Sequence, residues 1–520
     1  MAKQRTPIIG KNIIESLTLG MYENPFCIYR EYIQNSADAI DKAGALGFFL
    51  SGKLPVIEIQ IDEKKCEITI SDNGVGIAES YAYETLTDIA ASTKIVGKDK
   101  GFRGIGRLAG LAYCEKLIFE TSHAGESIRS ILEWDAKQLR TLIADRKKTE
   151  HAADVIRKIT TYSTEQESVD AHYFKVILSG VTETKLLDSS KVRGYLNFVA
   201  PVRYRSGFVF HSEIKKYMKE NGHRIDEYQI FINEQPVEKL YQTYLYTEKN
   251  GKKDPYDDVH SVVFLTDSAP DGQPLYWGWY SLTTLEKQIP SCNPGRSIRL
   301  RKENIQIGDE LALAKLFKEA RGTKYFLGEI FAVHPDLIPN SQRDYFSANA
   351  TVALFEDSLR KKFAELDSLY HLSSTTRNHY KKIGSLINVQ NEYAEKSKEG
   401  FSGKEEAESL LAEIDAKTKE ADAAENSLTS LYGRHQPDTT TGKLLSLIKE
   451  KLEVKKPTGK PKQAASVAAP GKVKFRADNL SNLKKQERKL VSRIYEVINN
   501  VLPKELASNL IEKIDETLSK

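Results

Sequence analysis

Tyr29-Arg30-Glu31-Tyr32-Ile33-Gln34-Asn35-Ser36-Ala37-Asp38-Ala39 is the stretch on which the fold turns. It lies within NPFCIYREYIQNSADAIDKAG (24–44), whose apolar spacing predicts a helix starting near Pro25 and ending at Gly44. Glu31, Asn35 and Asp38 stand at i, i+4 and i+7, so a helix sets all three on one face. A polar stripe on an otherwise core-facing helix has two readings. It is a solvated face, or it is a site where a carboxylate orients water and an amide oxygen holds magnesium. That ion prefers oxygen ligands and keeps several waters, so one Asn plus nucleotide phosphates suffices.

Two segments downstream bear on the choice. PVIEIQIDEKKCEITISDNG (55–74) alternates as a hairpin with its turn at Asp62–Lys65, and the second strand runs into Asp72-Asn73-Gly74-Val75-Gly76-Ile77. The two glycines let the backbone turn tightly and approach a flat ligand. Asp72 is placed to accept from an exocyclic amine. The same residues also suit a plain Asp-Asn-Gly turn. The third segment is Ala91-Ser92-Thr93-Lys94, followed by Gly101-Phe102-Arg103-Gly104-Ile105-Gly106-Arg107-Leu108-Ala109-Gly110. Dense glycines before an apolar helix present backbone N–H groups to an anion.

Other glycine motifs fail. Gly104–Ala109 fits G-x-G-x-x-A, with Glu120 beyond, but the dinucleotide fingerprint needs a buried strand immediately before it, and KIVGKDKGFR (94–103) is polar and basic. Gly47–Leu54 nearly fits a P-loop, yet Leu54 stands where a hydroxyl must ligate magnesium.

Taken in order, E-x-x-x-N, D-x-G-x-G and a glycine-rich lid resemble the signature of the GHKL ATPases. That superfamily includes gyrase, histidine kinases, MutL and the ninety-kilodalton heat-shock chaperones. YREYIQNSADAIDKA is most similar to the first helix of those chaperones and of MORC ATPases. The resemblance implies an α+β chain: a Bergerat-fold ATPase sandwich, then a transducer-like α/β domain, then a helical C-terminal region. It implies Glu31 as general base, Asn35 as the Mg2+ ligand and Asp72 as reader of the adenine amine. It also implies Gly101, Gly104 and Gly106 as phosphate binders, with Ser92, Thr93 and Lys94 expected in the lid. Asp38, Gly74, Gly76, Ile77, Phe102, Arg103 and Ile105 complete the expected nucleotide-binding set. A Gly-Thr strand is usual in this family; here the corresponding Tyr173-Phe174-Lys175-Val176-Ile177-Leu178 has neither residue. Ile338-Pro339-Asn340-Ser341-Gln342-Arg343-Asp344 resembles the chaperone loop that sends an arginine to the γ-phosphate, nominating Arg343. Lys302 is the alternative, since MutL and gyrase relatives use a lysine from this domain.

The length of 520 residues implies two or three domains. The expected division is 1–190 for ATP binding, 195–350 for the transducer-like domain and 352–432 for long helices or a coiled-coil arm. A flexible basic linker is expected over 433–478, and an amphipathic helical segment interrupted at Pro503 over 479–520. Hydrophobic content of 40% and charged content of 28% describe a globular protein. No apolar run of membrane-spanning length occurs, and the polar start MAKQRTPIIGKNIIESL is unlike a signal peptide, so a cytoplasmic location is expected. Cys27, Cys66, Cys114 and Cys292 are scattered and are expected as buried free thiols.

The net charge of +4 says little about partners. Residues 451–490 are different, with twelve basic against three acidic side chains, and suit either a solvated linker or a salt-dependent phosphate-backbone contact. The resemblance implies an ATP-hydrolysing clamp, expected as a homodimer acting on DNA or a protein partner in the MORC-like manner, with a prokaryotic defence role among the readings. A folding chaperone with protein clients is the alternative. A sensor kinase is not expected, since it needs a phosphoacceptor His upstream of the Asn35 helix and no His precedes His123.

Overall fold

The computed structural model describes residues 9–18, 24–49, 52, 54–89, 104–145, 150–454 and 474–519. Two compact units emerge, 1–283 with 287–367, and 284–286 with 368–520.

The first unit opens with α1 (Asn12–Thr18) and α2 (Cys27–Ala45), followed by β1 (Val56–Asp62), β2 (Glu67–Asp72) and α3 (Glu79–Thr87). A 3-10 segment, Gly106–Ala112, precedes β3 (Lys116–Ser122), β4 (Ile128–Asp135), α4 (Ala136–Ala144) and α5 (Ala152–Ile159). Next come β5 (Thr160–Gln166), β6 (Tyr173–Ser179), α6 (Ser189–Val199) and α7 (His211–Glu220). With β7 (Gln229–Ile232) and β8 (Gln235–Pro236) they form an eight-stranded sheet ordered β5-β4-β3-β6-β2-β1-β7-β8.

The sheet follows from period-2 alternation. Ile68, Ile70 and Asp72 of β2 share a buried face with Val176 and Leu178 of β6 and Leu117, Phe119 and Thr121 of β3. α2 joins the same core through Ile28, Ile33, Ala37 and Ile40. The strand at 229–232, expected within the second region, instead extends this sheet, because it pairs in parallel with Val56–Ile59.

The rest of the first unit holds a hairpin of β9 (Tyr244–Lys249) and β10 (Lys252–Asp258) and a five-stranded sheet. That sheet contains β11 (Ser261–Ser268), β12 (Pro274–Leu282), β13 (Ser297–Lys302), β14 (Ile305–Gln306) and β15 (Leu327–Ala332), ordered β11-β12-β15-β13-β14. α8 (Ala350–Glu399) begins in the first unit, where Val352, Phe355, Leu359, Phe363 and Leu366 are buried at helical spacing.

The second unit contains the rest of α8, then α9 (Lys404–Arg434), α10 (Thr440–Val454), α11 (Lys485–Val501) and α12 (Lys504–Leu518). α10 occupies ground expected as linker: Leu444, Leu445 and Ile448 give it a buried stripe, which an unstructured linker would lack. The remainder of that linker, 455–473, lies outside the described residues. Pro503 caps α12, which fits a residue with no N–H to give inside a helix. All four cysteines are free; Cys27 and Cys114 are buried, whereas Cys66 and Cys292, expected as buried, are only partly so. Among the described residues no helix is long and apolar enough to cross a membrane.

Candidate nucleotide site

α2 places the polar stripe. Glu31 and Asp38 are buried and Asn35 is half-buried, so the face is not a solvated one. Arg30 holds Glu31 at one oxygen, its Nε and Nη2 lying 3.3 and 3.2 Å from Oε1. The same Nη2 donates to the Gln342 carbonyl at 3.2 Å. Arg343 approaches that oxygen too, with Nε 3.8 Å away. Glu31 Oε2 faces Gly106, where a Cβ would collide with it. One carboxylate thus touches the glycine turn on one side and the 338–346 loop on the other.

Arg343 is buried and has φ of 56°, a left-handed conformation that costs a non-glycine residue roughly 1–2 kcal/mol. It is held there by Gly308 N–H donating to its carbonyl at 2.8 Å and by its own N–H donating to the Asn340 carbonyl at 3.2 Å. Lys302 lies elsewhere. Its ammonium donates to the His334 carbonyl at 2.8 Å, and burial pushes its pKa down.

The loop after β2 is fixed at every residue. Asp72 Oδ1 accepts from Gly74 N–H at 2.9 Å, and Ser36 also donates to the carboxylate. Asp72 Oδ2 is buried with no partner among the described residues. Burial pushes the carboxyl up to about 7, against the lowering effect of Ser36 and Gly74. Gly74 is close-packed: a Cβ there would lie 2.6 Å from that of Ala39. Gly76 has φ of 66° and lies so close to the Ser122 carbonyl that only glycine fits. Ile77 N–H donates to Thr121 Oγ1 at 2.9 Å, and that hydroxyl donates to the Tyr173 carbonyl at 2.9 Å.

The 3-10 turn from Gly106 is tied to α2 through Tyr32. The phenol donates to the Arg107 carbonyl and accepts from Gly110 N–H, both at 3.0 Å. Gly104 has φ of 70°, and Ile105 is buried behind it. Ser92, Thr93, Lys94, Gly101, Phe102 and Arg103 lie outside the described residues.

Several contributors escape sequence reading. Arg30, Tyr32 and Ser36 sit inside the quoted helix, but their tasks depend on partners far along the chain. His172, whose ring Nδ1 lies 2.9 Å from the Gly74 carbonyl, is 98 residues from it and carries no motif. Phe174 stands opposite Asp72 in the β2–β6 register, where the family pattern leads one to expect a hydroxyl. Its ring stacks on Phe119 at 5.8 Å.

The residues present fit a magnesium nucleotide. The unpartnered Asp72 oxygen suits an adenine amine, and Glu31 with Asn35 forms an oxygen-donor pair beside a turn that has no room for a Cβ. Residues 25–167 match the family described as histidine kinase-, DNA gyrase B- and HSP90-like ATPase. This segment belongs to the GHKL superfamily. Its HSP90-like character shows in the relatives. The chain is 31% identical to the chaperone protein HtpG of Legionella pneumophila (strain Lens) over 144 residues, 24% of this chain and 23% of that one. It is 28% identical to HtpG of Acinetobacter baylyi over 139 residues, 24% of this chain and 22% of the chaperone. HtpG of Wolinella succinogenes gives 29% over 143 residues, 24% and 23% of the two chains. The chain therefore spans under a quarter of the length of these relatives.

Proposed function

We propose that this protein binds Mg2+-ATP in the GHKL domain and hydrolyses it to ADP and phosphate. The observation that carries the reading is the convergence of Glu31, Gly106 and Arg343, three residues from three separate segments. Asp72 Oδ2 accepts from the adenine N6 amine, and Gly104 and Gly106 leave their backbone open to phosphate. Asn35 holds the magnesium ion, which when bound supplies charge neutralisation on the phosphate oxygens. Glu31 takes a proton from the attacking water as its oxygen bonds to the γ-phosphorus and the bond to ADP breaks. Arg343 stabilises the charge on the transferring phosphoryl group. Its position beside Glu31 favours it over Lys302, whose ammonium is engaged at His334. Before Glu31 can act as base, Arg30 has to loosen its hold.

The wider reading is a homodimeric, cytoplasmic clamp driven by this cycle. A MORC-like clamp on DNA, of the kind used in prokaryotic defence, is supported by the basic stretch 451–490. The second reading, a chaperone with a protein client, is supported by the HtpG relatives.

The test is phosphate release by wild type and Glu31→Ala, with ATP binding measured on both, and with and without double-stranded DNA. Turnover should fall roughly 100-fold or more while binding persists. A mutant that turns over normally removes Glu31 from the chemistry. DNA stimulation supports the clamp on DNA, and indifference to DNA supports the protein client.

A further inference from the structure

Beside the Glu31–Arg343 pair lies a cavity of about 670 Å3, a size suited to a small organic ligand. Its walls come from the start of α2, from α6, from the segment leading into β13, and from the 342–344 loop, all within the first unit. Tyr195, Phe198, Val199 and Pro294 make part of the wall apolar. Asn35, Asp72, Gly104 and Gly106 do not border it, so it is separate from the nucleotide pocket.

Arg299 sets the chemistry of this cavity. The side chain comes from β13 and is only 7% exposed. Its Nη1 donates to Gln306 Oε1 at 2.9 Å, and its Nη2 donates to the Pro294 carbonyl at 3.0 Å. The guanidinium carbon stands 4.2 Å from the centre of the Phe198 ring. The remaining donor, Nε, is buried with no partner among the described residues. Glu329 is the register partner of Arg299 across the sheet, but its carboxylate is taken by Arg301 and Lys239. Arg299 itself has no carboxylate within ion-pair distance among the described residues. Burial accordingly pulls its pKa down, against the opposite pull of Glu310 and Glu329.

A buried guanidinium without a carboxylate is costly, and a bound oxyanion would remove that cost. The planar donor set matches a carboxylate or a phosphate. Arg30 and Arg343, both buried, border the same cavity. The acids that border it are placed differently: Asp309 and Asp344 are exposed, and Glu310 is half-buried. Positive charge therefore lies deep and negative charge lies toward solvent.

We propose that this cavity is a second ligand site, which takes a small organic oxyanion: a carboxylate or phosphate monoester on an apolar ring, with the oxyanion on Arg299 and the ring against the apolar wall. The site does not depend on the ATPase reading, although Arg30 and Arg343 link it to Glu31.

The experiment is titration calorimetry of the full chain with phenyl phosphate and with benzoate, each with and without saturating ADP. At least one probe should bind as one equivalent, with a Kd of about 1 mM or tighter, and ADP should leave that binding in place. Preference for phenyl phosphate assigns a phosphate monoester, and preference for benzoate assigns a carboxylate. Arg299→Gln removes the charge and should weaken binding at least roughly tenfold. Should that variant lose its fold by circular dichroism, Val199→Phe serves instead. Its added ring atoms have the cavity to occupy, so binding should be lost with circular dichroism unchanged. A wild type that binds neither probe overturns the proposal. So does competition by ADP, and so does binding that survives in the folded variant. Loss of ATP binding or turnover with probe binding intact counts against the ATPase reading alone.

Discussion

Asp72→Asn is expected to stabilise the nucleotide-free protein and weaken ATP binding at the same time. Burial raises the Asp72 carboxyl from 3.8 to about 7. A raised acid favours the folded state only while it is protonated. Its contribution is complete below about pH 4 and declines as pH rises through the folded value near 7. The shift of about three units corresponds to about 4 kcal/mol against the folded state at pH 8 and about 2 kcal/mol at pH 5. Asparagine has the same shape and no charge. Its Oδ1 can still accept from Gly74 N–H, while its Nδ2 takes the place of the unpartnered Oδ2. The stability difference between variant and wild type should therefore grow by about 2–3 kcal/mol between pH 5 and pH 8. Urea unfolding at several pH values reads it directly. In the nucleotide complex the Nδ2 group would face the adenine amine donor to donor, so titration calorimetry should show ATP affinity falling at least roughly tenfold. A stability difference that does not change with pH would refute the account of Asp72 as a buried acid. Unchanged ATP affinity would refute its role as the adenine reader.

Arg343→Ala should lower turnover at least about 100-fold with ATP affinity nearly kept. Lys302→Ala should keep turnover and lose about 0.5–1.5 kcal/mol of stability, because the His334 carbonyl loses the lysine but keeps the Leu337 N–H at 3.1 Å, and steady-state kinetics beside urea titration separate the two. Gly106→Ala drives a Cβ into Glu31 Oε2, so turnover should fall roughly 10–100-fold; a variant with normal kcat would show that the turn does not constrain the carboxylate.

Much of the architecture is legible in residue patterns. KLIFETS (116–122) and PLYWGWYSL (274–282) form β3 and β12, because short apolar runs between turn signals have few alternatives to a strand. The helix from Cys27 to Ala45 and the loop at Asp72 are likewise readable, each resting on local spacing. What escapes reading depends on partners distant in sequence. Nothing near Gln229 reveals that it pairs beside Val56, and nothing near His172 points to Gly74. SIRLRK looks like a strand with one wet face, yet it is buried along nearly its whole length. The buried arginines of that strand are intelligible only with Gln306 and Glu329 in view.

Those buried charges bear on how Arg343 reaches the site. Glu329 of β15 accepts from Arg301 of β13 and from Tyr204, and Lys239 Nζ lies 3.2 Å from it. Burial acts to raise this carboxyl, but Arg301, Lys239 and the hydrogen bonds from Tyr204 and Arg301 outweigh it and hold it down at about 2. Arg301 also donates to the Asn304 and Phe198 carbonyls at 2.9 and 2.8 Å, and Lys239 donates to Asn304 Oδ1 at 2.7 Å. Ion pairs so buried contribute little net stability, since desolvation offsets their attraction, whereas slipping from the observed register of β13 against β15 would leave Glu329 and Arg301 buried without each other, which is costly. The 338–346 loop hangs on that register. β15 runs into it six residues before its start, and Gly308, just beyond β14, donates to the Arg343 carbonyl. The fold thus fixes Arg343 in a strained left-handed conformation beside Glu31 without help from nucleotide. A charge set in place beforehand needs no reorganisation when the phosphoryl group moves, which is the condition under which an arginine contributes most to the rate.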